Sequence, residues 1–289
     1  MCIRDSNYAN HPICATLLLL KFDMKRNNKA FEQYGIEYIS PSALNKFRKN
    51  PAKWLVNIAG YREKIFSPAM TYGIAVEQGI NMGVMTTAPI QECIDSALRE
   101  YDKIYESIEE HKADYDFAKC LEKQMTLPEV LDKVIPLYRK FGKPTAIQEW
   151  VEVYLDLPIP LKGICDYLYD DYVRDLKTTG IQPKEVKTDY LNQLTVYSLA
   201  TSKTPHVDYV YVTKHKRELI SYKIENTEVY VKNIRRIAMK MWQLLSFSSD
   251  IHEVCAMSCL EPDISNENFM NQWSATEIKG AQILFDMKN

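Results

Sequence analysis

The sequence has no long apolar run and no excess of positive charge. Its most apolar stretch, Ala15 to Phe22, is far too short to cross a bilayer. The formal net charge is -2 over 289 residues, so no overall positive field attracts nucleic acid. A nucleic-acid site in this chain would therefore need a local basic groove. Candidate residues for such a groove are Lys143, Lys162, Lys177, Lys184, Lys187, Lys203 and Lys214 to Arg217.

Cysteine is too sparse for a disulfide scaffold. The seven cysteines lack the dense spacing that small secreted domains use to staple their folds. Because no convincing secretion signal accompanies them, we expect reduced thiols and a cytoplasmic protein, or one in the host cytoplasm if the source is viral.

The composition is that of an ordinary globular chain, with 46% hydrophobic and 26% charged residues, and it predicts one domain. Met1 to Ser6 resembles the translation of a sequencing-adapter end. We therefore predict that residues 1–23 are a non-native or disordered leader and that the natural start is Met24. The domain over 24–289 is predicted to have a helical part at 41–145, a sheet core at 146–224 and a helical part at 225–289.

Hydrophobic spacing places the main elements. Pro41 to Gly60 is predicted as a helix that breaks near Asn50, since Pro51 cannot continue it. A single long charged helix is predicted from Pro89 to Met125. Further helices are predicted at Pro68 to Val84 and Thr188 to Ser202, and a strand is predicted at Ala146 to Leu155.

The stretch from Leu161 to Thr179 carries the strongest chemical signal. Two runs rich in aromatic and branched residues flank Asp170 and its neighbouring aspartate, a pattern typical of two strands joined by a tight turn. Counting back from that turn places Asp166 opposite Asp175, with Cβ atoms roughly 5 Å apart. Lys177 lies two residues beyond Asp175 and therefore points to the same face.

Two carboxylates and an ammonium on one face of a sheet suit metal-assisted hydrolysis of a phosphodiester. The carboxylates raise each other's pKa unless a cation neutralises them, and magnesium prefers oxygen ligands. The lysine can then orient a water molecule or stabilise charge that develops on a phosphate. An exposed hairpin with a surface salt bridge would produce the same spacing.

Four short motifs together resemble the PD-(D/E)xK nuclease superfamily, and more narrowly its RecB-like and phage-type exonucleases. Gly163, Asp166 and the run from Asp175 to Thr178 resemble its catalytic core. The run Gln193 to Tyr197 matches the Gln-x-x-x-Tyr motif of that branch. The remaining motif is an opening segment around Ser40, Ser42, Phe47 and Pro51. The sequence departs from the family's Gly-x-x-x-His motif, because Glu77 takes the place of the histidine four residues after Gly73.

The resemblance implies an α/β fold of the restriction-endonuclease type, with a mixed central sheet flanked by helices and a helical insertion. It assigns catalysis to Asp166, Asp175 and Lys177, and metal binding to Asp166, Asp175, Glu77 and the Leu176 carbonyl. An ordinary exposed helix glutamate remains the alternative for Glu77. The DNA-binding residues that it implies are Gln193, Tyr197, Ser42 and Thr178.

A glutamate on the strand before the hairpin often lies near the metal in the resembled family. Glu152 fits this position best by spacing, with Glu149 as the alternative. Gln193 and Tyr197 would line the DNA path, although packing of their helix on the sheet would also explain them.

The resemblance implies Mg²⁺ or Mn²⁺ as the cofactor. We predict no iron–sulfur cluster, because Asn50 stands where some relatives have a cysteine and four ligands are not evident. His252, Cys255 and Cys259 lack a clear fourth ligand, so a zinc site is not predicted either.

The function implied is that of a metal-dependent DNA exonuclease in phage or mobile-element recombination or end processing. The alternatives are a structure-selective endonuclease with the same site and a non-catalytic DNA-binding protein that retains the fold. DNA is the expected partner and a membrane is not. The resemblance leaves open a single-strand annealing protein as a further partner, and a homo-oligomer.

Overall fold

The computed structural model describes residues 29–63, 67–109, 116–258, 262 and 273–286. The chain forms two compact units. The sheet unit comprises Lys64–Glu152 and Gly163–Val231, and the second unit comprises Met1–Glu63, Val153–Lys162 and Lys232–Asn289. The predicted leader and Cys259 lie outside the described residues.

The helices and strands follow one another in a helical, then mixed, then helical order. In sequence they are α1 Lys29–Glu32, α2 Pro41–Lys49, α3 Pro51–Ile58, α4 Pro68–Met85, α5 Ile90–Glu109, α6 Phe117–Gln124, α7 Leu127–Arg139, β1 Ala146–Val153, β2 Leu161–Leu168, β3 Tyr172–Thr179, α8 Thr188–Thr201, β4 Thr204–Val212, β5 Arg217–Lys223, α9 Glu228–Leu245, α10 Ile251–Met257 and α11 Ala275–Leu284. None of the described helices combines the length and apolar composition that a membrane span requires.

The strands form one mixed sheet in the order β1-β2-β3-β4-β5. β3 and β4 are parallel and are connected through α8, whereas β2 and β3, and β4 and β5, are antiparallel. Tyr167 pairs with Arg174 and Leu168 pairs with Val173. Continuing this register by one step sets Asp166 opposite Asp175, which confirms the predicted hairpin.

Helix α4 packs closely against α7 because glycines lie at the contact. A Cβ atom at Gly79 would lie 2.8 Å from Cδ1 of Leu131, and one at Gly83 would lie 2.7 Å from Cγ2 of Ile135. Both distances are shorter than real Cβ contacts, so any side chain there would force the helices apart. The packing of α4 on its neighbours therefore fixes the helix that carries Glu77.

The predicted helix break near Asn50 is confirmed, whereas the prediction of a single long helix from Pro89 is wrong. Asn50 ends α2 and also caps α3, because its Oδ1 accepts a hydrogen bond from the Lys53 N–H at 2.8 Å. The prediction of one helix from Pro89 to Met125 fails at Asp116. That residue has the non-helical ψ of 78°, and its carboxylate caps α6 by accepting from the Lys119 N–H at 3.0 Å.

A buried glutamate ties together helices of the second unit. Glu277 of α11 pairs with Lys53 at 2.8 Å and accepts a hydrogen bond from Asn57 at 2.8 Å. It also completes a capping box with Ser274. These contacts join α11 to α3.

Candidate active site

The β2–β3 hairpin brings two aspartates and a lysine together. Asp175 is fully buried, and Nζ of Lys177 lies 2.5 Å from its Oδ2. The backbone N–H of Leu176 donates to Oδ2 of Asp166 at 2.6 Å. Strand geometry explains the arrangement, because Asp166 lies opposite Asp175 and Lys177 follows two residues later on the same face.

Helix α4 adds a third carboxylate, that of Glu77, and a glycine one turn earlier lets the helix approach the sheet. A Cβ atom at Gly73 would lie 3.2 Å from Oγ1 of Thr178 on β3, which is a tight contact. Residues four apart lie on the same face of a helix, so Glu77 follows Gly73 toward the hairpin. The departure from the family's histidine therefore still places a potential metal ligand at this face.

The carboxylates affect one another electrostatically. Burial, followed by the charges of Asp175 and Glu77, holds the pKa of Asp166 well above its usual range. Burial likewise raises the pKa of Glu77 and of Asp175, although Lys177 opposes both shifts. Burial lowers the pKa of Lys177, but the neighbouring aspartates outweigh it and the pKa is raised. One ammonium therefore does not neutralise the negative charge of the site.

The donor set fits a hard divalent cation. Apart from the ion pair with Lys177, neither oxygen of Asp175 has a hydrogen-bond partner among the described residues. In that part of the chain no three carboxylate, imidazole or thiol groups are gathered closely enough to bind an ion as they stand. Magnesium usually takes one or two carboxylates and keeps several waters. Asp166 and Asp175 meet that requirement, and Glu77 would bind the ion through one of those waters.

A residue that the sequence analysis did not single out contacts this cluster. Nε2 of Gln148, on β1, donates a hydrogen bond to Oε1 of Glu77. Glu149 and Glu152, the candidates on this strand, are both exposed. The left-handed backbone of Gln148, with φ of 52°, has no signature in the sequence that would have revealed it.

The two residues of the Gln-x-x-x-Tyr motif are hydrogen-bonded to each other, and the tyrosine is also hydrogen-bonded to the sheet. Nε2 of Gln193 donates to the Tyr197 hydroxyl at 2.7 Å, and that hydroxyl donates to the Ile164 carbonyl at 2.5 Å. Tyr197 is buried, with 2% of its surface exposed, whereas Gln193 is partly exposed. Tyr197 therefore packs α8 onto β2 two residues before Asp166, and Gln193 is the member of the pair with access to solvent.

The other predicted DNA-binding residues lie in different units. Thr178 lies on β3 directly after Lys177, in the sheet unit. Ser42 is exposed on α2 in the second unit, where its hydroxyl is 2.8 Å from that of Ser40.

In the same unit, Cys255 is buried, and burial raises the pKa of its thiol to about 12.

A cavity of about 240 Å³ adjoins the carboxylates. Helix α4 contributes a largely apolar wall, and β3 contributes a polar one. The lining residues are Ala69, Met70, Gly73, Ile74, Glu77, Leu176, Lys177 and Thr178. The cavity thus offers an apolar surface beside an ammonium and a carboxylate.

Because the carboxylates of this site crowd one another, we expect the effect of Asp166→Asn on thermal stability to depend on pH. The pKa of Asp166 is raised in the fold above the ordinary 3.8, so its stabilising contribution is present below that value and is lost as pH rises through the folded pKa. At pH 8, without divalent ions, we expect the variant to unfold roughly 2 to 4 °C higher than the wild type, the shift that about 1 kcal/mol produces.

Differential scanning calorimetry in chelating buffer measures this difference, which should shrink toward zero as pH falls to about 4. Asp170→Asn is the matched control, because it makes the same change at an exposed position of the same hairpin and should have little effect. Equal or lower unfolding temperatures for Asp166→Asn at every pH would contradict the electrostatic account.

The comparisons with known proteins agree with this geometry. The model of the PD-(D/E)XK nuclease superfamily matches residues 38–260. A solved structure from Eubacterium rectale, named "Putative exonuclease", is similar with a TM-score of 0.52 and 13% identity, over 85% of this chain and 87% of that one.

A second solved structure, of SSO0001, has a TM-score of 0.30 and 13% identity over 66% of this chain and 93% of that one. No curated protein sequence matches the chain significantly. The likeness to the first structure supports the restriction-endonuclease-like fold, a mixed sheet flanked by helices.

Proposed function

The chain belongs to the PD-(D/E)XK nuclease superfamily, and on this premise we propose that it is a metal-dependent DNA exonuclease of the RecB-like branch. The observation that carries the proposal is the pairing of Asp166 and Asp175 across a hairpin, with Lys177 2.5 Å from Asp175. Two carboxylates and an ammonium on one sheet face support the proposal, because they would act together on one phosphodiester.

Asp166, Asp175 and the Leu176 carbonyl would hold Mg²⁺ or Mn²⁺, with Glu77 as a further ligand. When bound, such an ion supplies Lewis acidity toward the attacking water and the scissile phosphate. Because Asp175 is buried, it would keep bulk water away from one side of the ion. The Leu176 N–H fixes the orientation of the Asp166 carboxylate through its hydrogen bond.

Lys177 would act as a hydrogen-bond donor and a positive charge rather than as a base. The adjacent aspartates raise its pKa, so the ammonium keeps its proton at neutral pH. A protonated lysine can donate hydrogen bonds to the attacking water and to a phosphate oxygen. Its role would be to orient water and to stabilise the charge that develops on phosphate.

The cavity beside Glu77 suits a nucleotide. Its α4 wall, with Met70 and Ile74, would contact the sugar or base, and Thr178 on β3 would donate to a phosphate. Gln193, which is partly exposed and hydrogen-bonded to Tyr197, would contact the DNA strand as well. We assign the activity to phage or mobile-element recombination or end processing, with a single-strand annealing protein as a fitting partner.

Substrate topology tests exonuclease action directly. We expect the full chain in Mg²⁺ to degrade linear duplex DNA and to spare covalently closed circles, because an exonuclease needs a free end. Gel electrophoresis of both substrates, with chelator as the control, measures this. Cutting of circles or of branched DNA would instead identify a structure-selective endonuclease. A folded protein that binds DNA but cleaves no substrate in Mg²⁺ would favour the non-catalytic DNA-binding alternative.

A further inference from the structure

Gln148 has a backbone conformation that is rare within a strand. It lies in β1, and its φ of 52° is in the left-handed region. A residue with a Cβ atom seldom adopts this region, and strain of this kind persists only where the surroundings impose it, most often at functional sites. The left-handed backbone of Gln148, in the strand beside β2, should therefore be explained by a contact that this residue makes.

The side chain of Gln148 supplies the reason, because it contacts Glu77. Its amide nitrogen donates to Oε1 of Glu77, which joins β1 to α4 at the carboxylate cluster. A glutamate side chain has several rotatable bonds, so a single fixed oxygen greatly restricts where the other one points. With Oε1 held by an amide, Oε2 is the oxygen left to face a cation.

We propose that Gln148 is a positioning residue that aims the Glu77 carboxylate at the divalent cation. This inference rests on the proposed function, since it takes Glu77 to be a ligand of that ion. Hydrogen-bond partners that orient metal ligands typically contribute 10- to 100-fold to metal affinity, so an effect of about that size is expected here. The strained backbone of β1 is then the cost of aiming the amide.

A structural tie between β1 and α4 would use the same hydrogen bond, and two variants separate the roles. Gln148→Gly removes the amide but also relieves the strain, because glycine adopts positive φ readily. The exchange Glu77→Gln with Gln148→Glu keeps an amide–carboxylate hydrogen bond but moves the carboxylate to β1. If the hydrogen bond only ties β1 to α4, the exchange variant should regain wild-type Mn²⁺ affinity. If Gln148 aims the Glu77 carboxylate, the exchange variant should not regain it.

The experiment uses Mn²⁺ alone as the probe. Binding is measured as the loss of the electron paramagnetic resonance signal of free Mn²⁺ during titration with the protein. Thermal unfolding without metal is measured on the same full-length proteins. For Gln148→Gly we expect an unfolding temperature equal to or above that of the wild type and Mn²⁺ affinity about 10- to 100-fold weaker. For the exchange variant we expect weak Mn²⁺ binding as well.

Asn226→Gly is the matched control. Asn226 also has positive φ, at 56°, in the same unit, but it is exposed on the segment after β5. Its substitution should preserve Mn²⁺ affinity. A lower unfolding temperature with unchanged Mn²⁺ affinity in Gln148→Gly would overturn the inference, as would restored affinity in the exchange variant or no Mn²⁺ binding by the wild type. If wild-type protein cleaves DNA while Gln148→Gly keeps its affinity, only this inference fails.

Discussion

Asp175→Asn should abolish metal-dependent DNA cleavage while the protein stays folded. The buried Asp175 is the carboxylate that both pairs with Lys177 and retains oxygens without hydrogen-bond partners among the described residues. Asparagine preserves the shape and one acceptor but removes the negative charge that a hard cation needs. The substitution therefore weakens the metal site and deprives Lys177 of its counter-ion.

The expected loss is large because metal-ion catalysis supplies several kcal/mol of transition-state stabilisation. At 1.36 kcal/mol for each tenfold change, the rate should fall by on the order of 10³-fold or more. Single-turnover cleavage of labelled linear DNA in saturating Mg²⁺ measures the rate. Circular dichroism and thermal unfolding check that the variant is folded.

Asp170→Asn provides the control for this prediction, because Asp170 is exposed in the turn of the same hairpin. It should cleave DNA at close to the wild-type rate. If Asp175→Asn keeps more than about a tenth of the wild-type rate, the loss of transition-state stabilisation is less than about 1.4 kcal/mol. That result would mean that the catalytic metal is held elsewhere.

Arg174→Met should strongly destabilise the fold without touching the carboxylate cluster. Arg174 follows the alternation of β3 to the face opposite Asp175. Its Nη1 lies 2.7 Å from Oδ1 and 3.0 Å from Oδ2 of Asp208, and both side chains are buried. Its guanidinium also lies 3.6 Å from the ring centroid of Phe141.

Removing Arg174 leaves the Asp208 carboxylate buried without its cation. Breaking a buried ion pair in this way typically costs about 3–5 kcal/mol. Hydroxyl groups of Tyr138 and Ser221 still donate to Asp208, at 3.0 and 2.6 Å, so we expect a loss near the lower end, about 3 kcal/mol. Urea unfolding of the full chain measures the change in the free energy of unfolding.

Lys216→Met is the matched control, since Lys216 pairs with Glu218 at 3.7 Å on the surface. Its effect should stay within about 0.5 kcal/mol. The double variant Arg174→Met with Asp208→Asn should lose less than the sum of the single variants, because no charge then remains buried alone. A loss below about 1 kcal/mol for Arg174→Met would contradict the account of this ion pair.

The sheet face of the candidate site could be predicted because strand register is a local property. The Asp-Asp turn and the alternating aromatic residues fix which residues oppose one another, so the positions of Asp166, Asp175 and Lys177 followed from counting. The helix break at Asn50 was equally local, since proline cannot continue a helix. Glu77 was singled out only through the resemblance of Gly73 and Glu77 to the Gly-x-x-x-His motif, and the approach of this helix to β3 is seen in the structure.

Features that depend on tertiary packing could not be predicted. Gln148 contacts Glu77 from a backbone with positive φ, and no residue type in that part of the sequence signals this conformation. The burial of Tyr197 follows from how α8 packs on β2, which the motif spacing leaves open. The long helix predicted from Pro89 failed because apolar periodicity outweighed Asp116, although aspartate is a favoured cap.

Whether Asp166 and Asp175 hold the catalytic ion is tested most directly by a crystal structure with Mn²⁺, from data collected near the manganese absorption edge. We expect an anomalous peak within bonding distance of a carboxylate oxygen from each aspartate, with Glu77 and the Leu176 carbonyl facing it. A peak elsewhere, or no peak while Lys177 remains paired with Asp175, would contradict it.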